Sequence, residues 1–204
     1  MTFSTNTKKY FNGSIIVSII SLLVFPAIAS ADAGVPMIFL SFPIMLFALI
    51  PIIFIEAGIL KKILGTTFKK SITSSSVANI VTTIIGFPLS WGLLLGLELL
   101  NIGIRGSCGL GFSNIGTSII TAIVESAWIC PWENYLYWLV PVAFIINLIV
   151  AFFVSVLFEY LILKKMFKEI GKRNVKRSVW IANLVSYSFL VIFGLIYLLS
   201  LIHI

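Results

Sequence analysis

Two short stretches hold the residues best able to do chemistry. "IEAGILKK" runs from Ile55 to Lys62, and "FEYLILKK" runs from Phe158 to Lys165. Each sets a glutamate, Glu56 or Glu159, inside an apolar run five positions before a lysine pair. An intramembrane carboxylate has two common uses. It carries a proton or an ion along a path, or it accepts hydrogen bonds that hold helices together. Five helical residues amount to about 7.5 Å of depth, shallower than a bilayer midplane. At that depth the carboxylate faces protein or water rather than lipid.

The partners follow in sequence. After each lysine pair come a basic turn and an Ala-Asn motif, "VANIV" at Val77–Val81 and "IANLV" at Ile181–Val185. Counting inward from Lys70 puts Ser74, Ser75 and Ser76 level with Glu56 and leaves Asn79 deeper. Counting from Arg177 puts Asn183 level with Glu159. The expectation is that Glu56 meets the serines and Glu159 meets Asn183. The repeated order reads either as a duplicated helical hairpin in one orientation or as ordinary composition near lysine-rich helix ends. Two polar ridges accompany it. Ser71, Ser75, Asn79, Thr82, Gly86 and Ser90 share an arc of about 100° on a helical wheel. Asn147, Ala151, Ser155 and Glu159 step by four. Such ridges serve helix contacts or line a solute path.

The elements that must position these residues are membrane spans. Hydrophobic residues make up 60% of the 204-residue chain and charged ones 10%, against roughly a quarter charged for a soluble domain. Mean hydropathy is +1.14. A helix needs about 20 apolar residues to cross a hydrocarbon core, and the runs at about 36–60, 74–100, 136–163 and 178–202 meet that length. The expected fold is an all-α polytopic bundle of four mature helices.

The net charge of +7 sits in blocks. Lysines 8 and 9 precede the first apolar run; Lys61, Lys62, Lys69 and Lys70 fill one gap between runs. A second gap holds Lys164, Lys165, Lys168, Lys172, Arg173, Lys176 and Arg177. Only Arg105 lies elsewhere. This is the pattern of the positive-inside rule, so nucleic acid is set aside as a partner. The expected location is a bacterial inner membrane, with basic loops cytoplasmic and both the loop 101–134 and the C-terminus outside. The bilayer is the expected partner, and each exposed cation near an anionic surface contributes about 1 kcal/mol.

Residues 1–31 carry a basic start, the apolar "SIIVSIISLLVF" and the small-residue site Ala29-Ser30-Ala31. They read as a signal peptide cleaved after Ala31, or as an uncleaved first helix. Residues 32–204 form the transmembrane domain. Pro43 and Pro51 each remove a backbone donor from its first run and are expected to kink it. Within 101–134, an apolar piece of about thirteen residues fits a re-entrant or interfacial helix better than a span. Trp128, Trp132, Tyr135, Tyr137 and Trp138 read as an interfacial belt. The loop is the expected place for recognition, or else a lid on the bilayer surface. Cys108 and Cys130, the only cysteines, would close a disulfide in an oxidising compartment. Glu98 and Arg105 are placed to pair at the outer end of a helix.

Enzyme signatures are missing: the sequence has one histidine, His203, and no P-loop, dinucleotide fingerprint, HExxH or GxSxG. No catalytic residue, cofactor or metal ligand is expected. Over "ADAGVPMIFLSFPIMLFALIPIIFIEAGIL" and "WICPWENYLYWLVP", the chain resembles bacterial, particularly cyanobacterial, multipass membrane proteins of no assigned activity. Locally, "IEAGILKKIL" with Asn79 and "IIG" is similar to the start of the FraC filament-integrity membrane proteins. That resemblance implies a structural role. The expected function is therefore a non-enzymatic scaffold, assembly or envelope-integrity component with a membrane-protein partner or a second copy of itself. The alternative is a small-solute or ion transporter or pore subunit using Glu56, Asn79, Ser75, Glu159, Asn183 and Asn147.

Overall fold

A computed structural model describes residues 34–105 and 110–202. The signal segment expected over 1–31 lies outside them. Strand β1 (Val35–Pro36) leads into helix α1 (Met37–Leu64), followed by α2 (Phe68–Val81), a π-helical turn (Thr82–Gly86) and α3 (Phe87–Arg105). A short helix α4 (Ile115–Val124), strand β2 (Trp128–Ile129) and a 3-10 turn (Glu133–Tyr135) precede α5 (Leu136–Met166) and α6 (Lys172–Ile202). Four segments, Met37–Leu64, Phe68–Gly103, Glu133–Met166 and Lys172–Ile196, are long and apolar enough to cross a membrane. The chain is a multipass, all-α membrane bundle, and α4 is a short loop helix of ten residues.

Local chemistry explains the breaks. Gly65 ends α1 in the left-handed region (φ 62°), with its N–H bonded to the Lys61 carbonyl. Two residues later Thr67 caps α2, its side chain accepting from the Lys70 N–H at 3.3 Å. Helix α1 runs unbroken through Pro43 and Pro51. The π turn sits just before Pro88, which has no N–H for the Ile84 carbonyl and whose ring crowds it. Widening the preceding turn relieves that crowding. Asn114 and Thr117 form a reciprocal capping box that starts α4.

The interior is layered. One apolar cluster, near the loop end, contains Ile52, Phe87, Phe144, Ala151 and Leu190. A second, near the lysine-rich end, contains Leu60, Ala78, Val156, Leu163 and Val179. Polar residues separate them in each long segment: Glu56, Asn79 with Thr82, Ser155 with Glu159, and Asn183 with Ser186, most of them buried. A polar belt therefore crosses the whole bundle between two apolar halves.

Close packing in the loop-end half turns on one glycine. A Cβ on Gly194 would meet the Phe144 ring at 2.3 Å, and Phe144 is fully buried. Gly194→Ala should cost about 1–3 kcal/mol, read as a lower melting temperature in detergent. Adding Phe144→Leu should recover part of it. Gly96→Ala, where a Cβ meets nothing within 4 Å, should leave the melt unchanged.

Candidate functional site

The belt centres on Glu56, which is 2% exposed. Asn79 Nδ2 donates to its Oε2 at 2.5 Å, and Ser186 Oγ donates to its Oε1 at 2.7 Å. One carboxylate thus joins α1 to both α2 and α6. Asn183 Nδ2 donates to Glu159 Oε2 at 2.6 Å, joining α5 to α6. Each asparagine amide also donates to the carbonyl four residues back, Ser75 in one hairpin and Val179 in the other.

The pairing of Glu159 with Asn183 is as expected from depth. The pairing of Glu56 with the serines holds in part: Ser75 bears on its carboxylate, but the closest donor on α2 is Asn79. Ser75 also receives a hydrogen bond from Asn79 Nδ2 at 3.2 Å and donates to the Ile53 carbonyl at 3.1 Å. The depth count missed Asn79 because it compared Cα levels. Side chains lean toward the N-terminus of their own helix. In an antiparallel hairpin the glutamate leans away from the turn while the asparagine leans toward it. That closes a gap of about one turn. The two hairpins then agree closely. Asn79 and Asn183 each lie eleven residues after the start of their helix, Phe68 and Lys172. Glu56 and Glu159 lie eight and seven residues before the ends of theirs, Leu64 and Met166.

The belt holds more than sequence pattern indicated. Ser155 Oγ and Tyr187 OH share a hydrogen bond of 2.7 Å. The buried Asn183 Oδ1 has no hydrogen-bond partner. Ser186 was missed as a partner of Glu56, although its position three residues after Asn183 puts it on the same helix face. Thr82 occupies the matching position after Asn79, but its hydroxyl bonds back to the Ala78 and Asn79 carbonyls.

A second acidic pair fastens the loop. Glu98 Oε2 accepts from the Trp128 backbone N–H at 3.0 Å. The side chain of Arg105, the expected partner of Glu98, lies outside the described set. Glu125 Oε2 accepts from Cys130 N–H at 3.2 Å and Trp132 Nε1 at 2.7 Å, while its buried Oε1 has no partner. Asn147 reaches up from α5 and donates to the Ser126 carbonyl at 2.5 Å. The next carbonyl, Ala127, accepts from Met37 N–H and Trp91 Nε1, both at 2.9 Å. Val35 pairs with Ile129 and Pro36 with Trp128. The segment 125–132 is therefore bonded to α1, α3 and α5, and forms a pinned lid. Phe112 packs its ring against Trp132, Tyr135 and Trp138 with centroids 5.2, 4.1 and 5.4 Å away. Three of the expected belt aromatics, Trp132, Tyr135 and Trp138, thus cluster around Phe112. Cys130 is disulfide-bonded; Cys108, the sequence's other cysteine, lies outside the described residues.

Among the described residues, no three His, Cys, Asp or Glu side chains converge as metal ligands. Comparison with known protein families, curated proteins and solved structures finds no match to the chain.

Two predictions follow from these contacts. Interhelical hydrogen bonds in membranes average about 0.6 kcal/mol and reach about 1.7. Glu56→Ala leaves two buried donors without their acceptor and should lower the melting temperature clearly. Glu56→Gln keeps one acceptor and should lower it less. The second concerns pH. Burial pushes the Glu125 carboxyl above its ordinary range, against the opposing pull of Trp132 and Cys130. A closed lid then holds a proton that the open segment has released, so closure weakens as pH rises through and beyond the ordinary carboxylate range. Hydrogen exchange at 128–132, corrected for intrinsic rate, should show opening that grows with pH. Glu125→Gln should flatten that slope.

Proposed function

We propose that this chain is a non-enzymatic component of a bacterial inner membrane, acting as a scaffold, assembly or envelope-integrity factor. In this reading the lysine-rich end is cytoplasmic, while the lid and the C-terminus lie outside. One observation carries it: the belt's carboxylates are spent on joining helices, with Glu56 closed off by donors from two of them and Glu159 tied to Asn183. A transport path would leave such groups facing an opening. The surface left for contact on the loop helix is apolar. On α4, Ile115 is 81% exposed and Ile119 and Ile123 extend the same face. That face suits a membrane-protein partner or a second copy of the chain. The local similarity to filament-integrity proteins points the same way.

A second reading, a proton or ion path, is favoured by the two buried carboxyls of the belt and by the unpartnered Asn183 Oδ1. The two separate cleanly. A photo-crosslinker at Ile119 should give one discrete protein adduct in native membranes. Purified protein in liposomes should show no ion or proton flux above empty vesicles. Flux that is lost in Glu56→Gln and Glu159→Gln, with folding retained, would replace the scaffold reading with the transport one.

A further inference from the structure

The lysine-rich end holds eleven basic side chains and one acidic one, Glu169. Diffuse attraction to an anionic leaflet follows from that imbalance alone. One face of α6 goes further. Arg173, Lys176 and Arg177 follow one another at helical spacing and are all exposed. They share an arc of about 100° with Trp180 and Leu184. Asn174 and Ile181 complete an open groove of about 620 Å³ around them. No acidic residue interrupts the helix from Lys172 to Ile202.

What distinguishes this face is where it leads. Trp180, 40% exposed, is the first large apolar side chain above the cations. Its ring meets Phe152 and Phe153 edge-on at 5.5 and 6.4 Å. Phe153 and Leu184 are also open, at 58% and 61% exposure, and both lie within membrane-spanning segments. The surface therefore passes from three cations through an indole to an apolar wall, with no step between them. A free phosphate would use only the first part. An acidic peptide would have to enter the hydrocarbon to use the rest. A phospholipid matches both parts.

We propose that this face of α6 is a binding site for an anionic phospholipid of the adjoining leaflet. Arg173, Lys176 and Arg177 hold the headgroup phosphate; arginine offers a planar fork of donors suited to its oxygens. Trp180 sits at the glycerol level, where an indole places its ring among chains and its N–H among headgroups. The acyl chain lies along Leu184 and Phe153. The site is independent of the scaffold reading, because it depends on none of the belt or lid contacts.

Native mass spectrometry of the detergent-solubilised full chain, titrated with phosphatidylglycerol or phosphatidylcholine, tests this. Phosphatidylglycerol should be retained in preference, and Arg173→Gln/Lys176→Gln/Arg177→Gln should weaken it about tenfold or more. A charge-matched control, Lys61→Gln/Lys62→Gln/Lys165→Gln, removes three exposed cations from the same end and should change affinity less than about twofold. Equal loss in both variants would reduce the site to diffuse attraction and overturn the proposal. So would the absence of a headgroup preference. Trp180→Phe keeps all charges and guards against a triple variant that fails to fold. Brominated phosphatidylglycerol should quench a fluorescence component that this variant lacks. Quenching unchanged by Trp180→Phe would also overturn the site.

Discussion

The structure depends on a carboxylate that has been given enough donors to stay in the membrane interior. Glu56 takes one hydrogen bond from the helix after it and one from the last helix of the chain. A buried acid without partners costs several kcal/mol, so the position is fully satisfied only when α1, α2 and α6 are assembled together. The same requirement fixes rotation and depth for all three. Apolar contacts in lipid give little preference between one helix register and the next, because lipid tails are as apolar as leucine. The belt supplies that preference, and the apolar clusters above and below it then pack in one arrangement.

The spans were legible because twenty apolar residues bounded by lysines have few other fates. The ridges were legible for a related reason. Ser71, Ser75, Asn79, Thr82 and Ser90 on one side, and Asn147, Ser155 and Glu159 on the other, all turn out buried. Helical periodicity reports which residues face inward. It does not report which inward residue meets which. The depth count for Glu56 found Ser75 but missed Asn79 on side-chain direction, a matter of about one turn. Ser186 escaped notice because its acceptor lies 130 residues away, and a single sequence carries no local sign of such a contact.

The loop was legible as ordered and aromatic, but its fastening was not. The ties of Glu98 and Glu125 to the loop were not legible, because their donors are mainly backbone N–H groups. Backbone donors are present at every non-proline residue and leave no mark in composition. The carbonyls of Ser126 and Ala127 serve the same end in reverse, accepting from Asn147, Met37 and Trp91. Acids, an amide and main-chain groups scattered over four elements thus act as the rivets of a lid.

The unequal spacing of the partners of Glu56 bears on how the protein is made. Asn79 follows it by 23 residues and Ser186 by 130. At a synthesis rate of about 5–20 residues per second, the first donor emerges within about one to five seconds. The second arrives about five to twenty seconds later. The first hairpin can enter the bilayer with its acid already half satisfied, and the second carries its own Glu159–Asn183 tie. Each hairpin is then a self-contained unit of insertion. Ser186 closes the molecule last, as the seam between two pieces that were born separately.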